Sequence, residues 1–211
     1  MVALLGFGDR EPPGTALALL GDAGARYGAA RAPWLRRRLA ATRWLARTCA
    51  GAVLGLPPAR VPLATGPHGR PVLPGSGWDV SISHTRAAIL VALADGRRVG
   101  ADLEPTGRGR DLAGLEDAVC CPAELRWWQA LPPGERAGFL LRRWTLKEAH
   151  GKAVGLGLGL RFDGYGFRWC AGRPRRTDDR GRPLAATGWT YRSQPVRGLG
   201  LIGLALGPPS R

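Results

Sequence analysis

Three short stretches of the chain hold the residues best suited to chemistry. The first, RRWTLKEAHGKAVGLGLG over Arg142–Gly159, contains both lysines of a sequence whose 31 basic residues are otherwise all arginine. Arginine is a permanently charged planar fork, whereas lysine is a compact point charge that can release its proton. On a helix, Glu148 and Lys152 stand four apart and share one face. Alone, that spacing reads as an ordinary surface ion pair. The second stretch, VGADLEP over Val99–Pro105, sets Asp102 and Glu104 on one side of a strand, with Ala101 and Leu103 on the other. Carboxylates on adjacent same-side positions repel each other unless a cation lies between them. Their hard oxygens suit Mg2+, generally together with substrate phosphates. The third stretch is Ser83-His84 at a turn. Taken together, these groups describe a magnesium–phosphate site.

The surrounding pattern indicates what positions them. A clear helix is expected over about 33–54, where Leu35, Leu39, Thr42, Ala46, Cys49 and Val53 recur at helical steps. Pro33 suits its first turn, and Gly55 with Pro57-Pro58 ends it. On another face Arg36, Arg43 and Arg47 form a cationic strip that reads either as a solvated face or as a phosphate-binding one. A short Ala-rich helix is expected before it, over 15–30. Three strands follow at Trp78–Ser83, Ala87–Ala94 and Arg97–Leu103, with Asp95-Gly96 as a hairpin signal, and they predict an antiparallel meander. Residues 105–111 read as a linker, followed by helices over 112–119, 122–131 and 134–154. Strands at 161–170, 188–191 and 199–206 complete an α+β pattern.

Composition narrows the function classes. The 211 residues allow one domain or two small ones, and 45% hydrophobic content supports a real core. A formal net charge of +15 favours acidic partners without choosing among them. Cys49, Cys120, Cys121 and Cys170 lack metal-site spacing and fit a reducing cytoplasm. Neither a signal peptide nor a membrane span is expected, so the sequence reads as a soluble cytoplasmic protein.

The order and spelling of SISH, VGADLE and WTLKEAHGKAVG resemble the signature of Sfp-type 4′-phosphopantetheinyl transferases. The resemblance extends to GRP ahead of SISH and to the Arg-rich helix, covering about residues 33–160. It implies a pseudo-dimeric α+β fold of two similar halves, 1–104 and 105–211, with the active site between them. It also implies transfer of the phosphopantetheine arm of coenzyme A to a serine of an acidic acyl or peptidyl carrier protein, releasing adenosine 3′,5′-bisphosphate. Asp102, Glu104 and Glu148 match the family's Mg2+ ligands, and Lys152 matches a lysine at the coenzyme A phosphates. Ser83 and His84 match a phosphate-binding pair, Arg70 an adenine-nucleotide contact, and Arg36 and Arg43 the 3′-phosphate binders. Glu148 is assigned as the base that accepts the serine proton, and Lys152 as the group that steadies the departing phosphate. Lys147 belongs to the motif without an assigned role. Ala101 departs from the family's usual branched residue, and Cys120-Cys121 from its usual aromatic or hydroxyl pair.

A cytoplasmic monomer serving secondary metabolite biosynthesis is the setting implied, with no nucleic acid and no membrane as partners. Fatty-acid, polyketide and nonribosomal-peptide carriers all remain open. Two rivals stand beside this reading: an inactive coenzyme A-binding relative, and a nucleic-acid-binding module. The second needs aromatic and basic residues interleaved on a strand platform. Trp127, Trp128 and Trp144 instead fall on expected helices.

Overall fold

The computed structural model describes residues 2–6, 14–185 and 188–209. The chain opens with β1 (Val2–Gly6), two single helical turns at Gly14–Leu19 and Gly21–Ala23, and α1 (Gly24–Ala29). Next come α2 (Pro33–Leu54), the short pair β2 (Ala64–Thr65) and β3 (Pro71–Val72), then β4 (Trp78–His84), β5 (Ala88–Asp95) and β6 (Arg97–Glu104). Four helices follow: α3 (Arg108–Asp111), α4 (Glu116–Val119), α5 (Pro122–Gln129) and α6 (Pro133–Val154). The last strands are β7 (Gly166–Cys170), β8 (Arg173–Thr177), β9 (Thr190–Val196) and β10 (Gly200–Pro209).

Two layers of the same design result. Sheet β1-β5-β4 carries α2 and sheet β6-β10-β9 carries α6, each helix 22 residues long. Both helices have proline in the first turn and end on a glycine in the left-handed region, Gly55 (φ 66°) and Gly155 (φ 84°). β5 shows the layering in its own alternation. Ile89, Val91 and Leu93 pack against α2, while Ala88, Leu90 and Ala92 pack against Val99, Ala101, Leu103 and Ile202 of the other sheet. The order is therefore helix, sheet, sheet, helix, which is an α+β architecture. Among the described residues no helix is long and apolar enough to cross a membrane.

The expected three-stranded meander is half right. β4 and β5 pair, but β6 leaves them and pairs with β10. Side chains of β4 take the place of a backbone ladder: Asp79 Oδ2 accepts from the N–H of Val99 (2.8 Å), Ser81 Oγ from Ala101 (2.9 Å) and Ser83 Oγ from Leu103 (3.1 Å). Buried N–H groups must be satisfied, and a polar side chain on every second residue of β4 does so. β6, within the segment 1–104, thus hydrogen-bonds inside the second sheet.

Smaller differences lie in the second half. The strand expected from residue 161 starts at Gly166, since Phe162–Gly164 forms a helical turn. β8, RPRRT, was not expected because proline and charge hide its alternation. The strand placed at 188–191 runs instead over Thr190–Val196, and the helix expected over 112–119 is broken by Gly114 at φ 87°.

Candidate functional site

Close approach of α6 to β6 builds the site. A Cβ on Gly100 would collide with the carbonyl oxygen of Ala149, and one on Gly203 would lie 2.5 Å from that of Thr145. These two glycines let the helix backbone settle onto the sheet, which brings Glu148 and Lys152 over Asp102. Lys152 Nζ lies 2.6 Å from Asp102 Oδ1 and donates to Ser83 Oγ at 3.1 Å. Ser83 in turn donates to Asp102 Oδ1 at 2.9 Å. Serine from β4, aspartate from β6 and lysine from α6 therefore close one triangle across the two layers.

Around it the field is acidic. Burial, then the neighbouring Asp102, raises the Glu148 carboxyl to about 7, with Lys152 opposing the shift. The same two causes raise Glu104, whose Oε1 accepts from Trp144 Nε1 at 2.8 Å and whose Oε2 lies 4.0 Å from Arg108. His84 sits at the exposed end of β4; desolvation by its dense surroundings lowers its pKa first, then the field of Arg38.

Among the described residues no three His, Cys, Asp or Glu side chains converge closely enough to hold a metal ion. However, Asp102 Oδ2 and Glu148 Oε1 are buried acceptors without a hydrogen-bond partner. Mg2+ takes one or two carboxylates and fills the remaining positions with water and phosphate. The hard, orphaned oxygens fit it.

The arginines named from the sequence sit elsewhere. Arg36 donates to the carbonyl of Ala30 at 2.7 Å. Arg43 is buried, 2.6 Å from Asp22 Oδ1 and 2.9 Å from Thr65 Oγ1. Arg70 lies between the layers: it reaches Asp79 Oδ2 at 2.5 Å and donates to the carbonyls of Lys152 and Ala153 at the end of α6. It holds the helix terminus that carries Lys152. The cation whose field is felt most at His84 is Arg38, which also lies 4.9 Å over the Trp34 ring. The strip of Arg36, Arg43 and Arg47 marked by helical spacing did not include Arg38.

Lys147 gains its role only here. Its ammonium is fully buried and donates to the carbonyls of Val119 and Phe162, both at 2.7 Å, and to Glu124 Oε2 at 2.5 Å. Glu124 also accepts from the N–H of Cys121 and of Phe167. The pair fastens α5, α6 and β7 together, on the side of α6 away from Glu148. No periodicity announces such a hub, because its partners come from distant segments.

Residues 98–195, spanning β6 to β9, match the model of the 4′-phosphopantetheinyl transferase superfamily. Over those residues the chain is similar to that superfamily. Asp102, Glu104, Glu148 and Lys152 all lie inside the superfamily match, whereas Ser83 and His84 precede it. The chain is 33% identical over 130 residues to the 4′-phosphopantetheinyl transferase HetI of Nostoc sp., covering 60% of this chain and 55% of that one. It is 30% identical over 126 residues to a 4′-phosphopantetheinyl transferase of Bacillus subtilis, covering 59% and 54% respectively. It thus spans about half the length of both curated relatives. A holo-(acyl-carrier-protein) synthase from Bacillus anthracis, solved in complex with CoA, is similar at 21% identity and a TM-score of 0.39, over 54% of this chain and 96% of its own. The holo-ACP synthase of Plasmodium yoelii gives 17% and 0.41, over 54% and 95%. Likenesses of that size add nothing to the fold already described.

Proposed function

We propose that this protein transfers the 4′-phosphopantetheine arm of coenzyme A to a serine of an acidic acyl or peptidyl carrier protein, with Mg2+, releasing adenosine 3′,5′-bisphosphate. The supporting observation is the Ser83–Asp102–Lys152 triangle beside the unpaired oxygen of Glu148, in a chain similar to this superfamily. Attack on a diphosphate must overcome the repulsion of its negative oxygens. Asp102 and Glu148, with Glu104 beside them, would hold Mg2+, which when bound withdraws phosphate charge and fixes geometry.

The chain's own residues supply the rest. Glu148, a buried carboxylate beside Asp102, is placed to accept the serine proton, directly or through water. Lys152 presents its ammonium to the departing phosphate oxygen. Ser83, whose hydroxyl is spent on Leu103, Asp102 and Lys152, holds those two charged groups in place. His84, as a neutral hydrogen-bonding group, and Arg38, as the cation, form the outer rim facing a phosphate. Action in the cytoplasm as a monomer, service to secondary metabolism, and a chain-order division near residues 104 and 105 belong to the same proposal.

Incubation with coenzyme A, Mg2+ and a panel of apo carrier proteins, read by intact mass, tests it. The expected result is one added arm on at least one carrier, abolished by Glu148→Gln and by Asp102→Ala with the fold retained. Absence of transfer to every carrier, despite coenzyme A binding, would favour the inactive relative. Near-normal rates in either variant would refute the residue roles.

A further inference from the structure

The second sheet ends on an edge without a backbone ladder, with β8 packed beside part of it. Its order β6-β10-β9 leaves one side of β9 unpaired, and the register fixes which groups face outward. On β6 the N–H groups of Val99, Ala101 and Leu103 point to β4. Residues 100, 102 and 104 therefore bond to β10, and the alternate β10 residues Gly200, Ile202 and Leu204 bond to Val196, Gln194 and Arg192 of β9. That leaves the N–H groups of Tyr191 and Ser193 facing away from the sheet, and no described residue accepts from either. The next outward position is Pro195, which has no N–H.

A cavity of about 540 Å3 runs along this edge, touched by Thr190, Tyr191, Arg192, Ser193 and Gln194 in unbroken succession. Successive strand residues point to opposite faces, so a cavity that meets all of them follows the edge itself. The opposite bank is the β7–β8 hairpin, turned tightly at Ala171-Gly172 (φ 49° and 74°), and it contributes Arg173 and Arg175. Arg168 stands directly across from Arg175, a like-charge pairing that destabilises a ribbon unless an anion offsets it. Arg168, Arg173, Arg175 and Arg192 have no ion pair among the described residues, and no Asp or Glu lines the cavity. The rings here are already engaged: Trp189 and Tyr191 stack on each other, and both meet His150 edge-on. Stacking nucleic-acid bases would have to displace those contacts.

We propose that the free edge of β9 and its arginine bank form a docking site for an extended acidic segment of a protein partner. The segment adds as a strand beside β9, its backbone meeting the N–H groups of Tyr191 and Ser193. Arg173 and Arg175, two apart on β8, repeat at about 6.8 Å, the spacing of alternate carboxylates along an extended chain. This site is separate from the carboxylate cluster and does not depend on the transferase reading.

A fluorescein-labelled decapeptide of alternating Glu and Thr, titrated into the full chain at low salt, tests the site by anisotropy. Saturable binding is expected, at least tenfold weaker for the Gln–Thr peptide and for the Arg173→Gln/Arg175→Gln/Arg192→Gln variant. Arg197→Gln, at the β9–β10 turn, is expected to bind as wild type. Ser193→Pro removes one outward N–H, as Pro195 already does at its own position, and is expected to weaken binding at least fivefold. A peptide N-methylated on alternate residues makes the same test without altering the protein. Hydrogen exchange at Tyr191 and Ser193 should slow when the peptide is bound. Wild-type affinity in the triple-arginine variant would overturn the proposal. So would inorganic polyphosphate or oligothymidine binding as tightly as the peptide, or full affinity for the N-methylated peptide, since the edge would then read charge alone.

Discussion

The chain's two lysines show how differently one residue type is used. Lys152 reaches a partly open site and touches Ser83 and Asp102. Lys147, five positions earlier on the same helix, is sealed with Glu124 and two carbonyls. Removing one member of a buried pair leaves an uncompensated charge and costs about 3–5 kcal/mol. Lys147→Met is therefore expected to lower the melting temperature by roughly 10 °C, since a chain of this size loses about 2–4 °C per kcal/mol. Adding Glu124→Gln should restore part of that loss, and calorimetry on both variants would show it. His150 gives a pH test. Arg176 Nη1 donates to its Nε2 at 3.0 Å, so its Nδ1 carries the proton facing the Tyr191 hydroxyl at 3.2 Å. Burial, then Arg176, lowers its pKa from 6.5 to about 4. As pH falls, the unfolded chain takes the proton first, so stability present above 6.5 is lost between 6.5 and about 4. The expected loss is about 3 kcal/mol, at 1.36 kcal/mol per pH unit. In His150→Gln that slope should be absent from urea melts run across the same range.

At the scale of elements, the placement of Asp102 and Glu104 depends on how β6 is held. β4 supplies side-chain acceptors on every second residue, and Ser81 is the middle one, 97% shielded and bonded to the N–H of Ala101. Ser81→Ala leaves that N–H buried without a partner, at a cost of about 1–3 kcal/mol. Because Ser83 and Asp79 still hold either side, the expected result is a lower urea midpoint with the fold unchanged by circular dichroism. An unaltered midpoint would show that the side-chain ladder contributes little. The helices were largely readable in advance: Pro33 and Gly55, Pro133 and Gly155 bracket α2 and α6 within a residue of the expected bounds. The fate of β6 was not, because alternation of apolar and polar residues is the same whichever sheet a strand joins. The Asp95-Gly96 hairpin turns the chain without deciding its next hydrogen-bond partner. Cys121 had no role assigned from the sequence, and it caps the start of α5 jointly with Glu124.

For the whole molecule, the formal charge of +15 surrounds a small acidic centre. If the proposed acidic carrier is the substrate, the field steers it, and screening should weaken that steering. Stopped-flow association with an apo carrier is expected to slow at least tenfold between 50 mM and 500 mM salt, as steered associations fall steeply with ionic strength. A rate independent of salt would remove the charge from the account of recognition.

The sequence by itself determined the two long helices, the α+β class, and the acids and lysine of the centre, because periodicity, capping residues and motif spelling are local properties of the chain. Tertiary structure alone decided the rest. It handed β6 to the second sheet, brought the charge of Arg38 to bear on His84, bound Arg43 to Asp22, gave Arg70 the end of α6, and buried Lys147 against Glu124. Each of these is a long-range pairing of a charge or an unpaired backbone group. Such a group takes the nearest partner the packed layers offer, and sequence distance carries no record of which one that is.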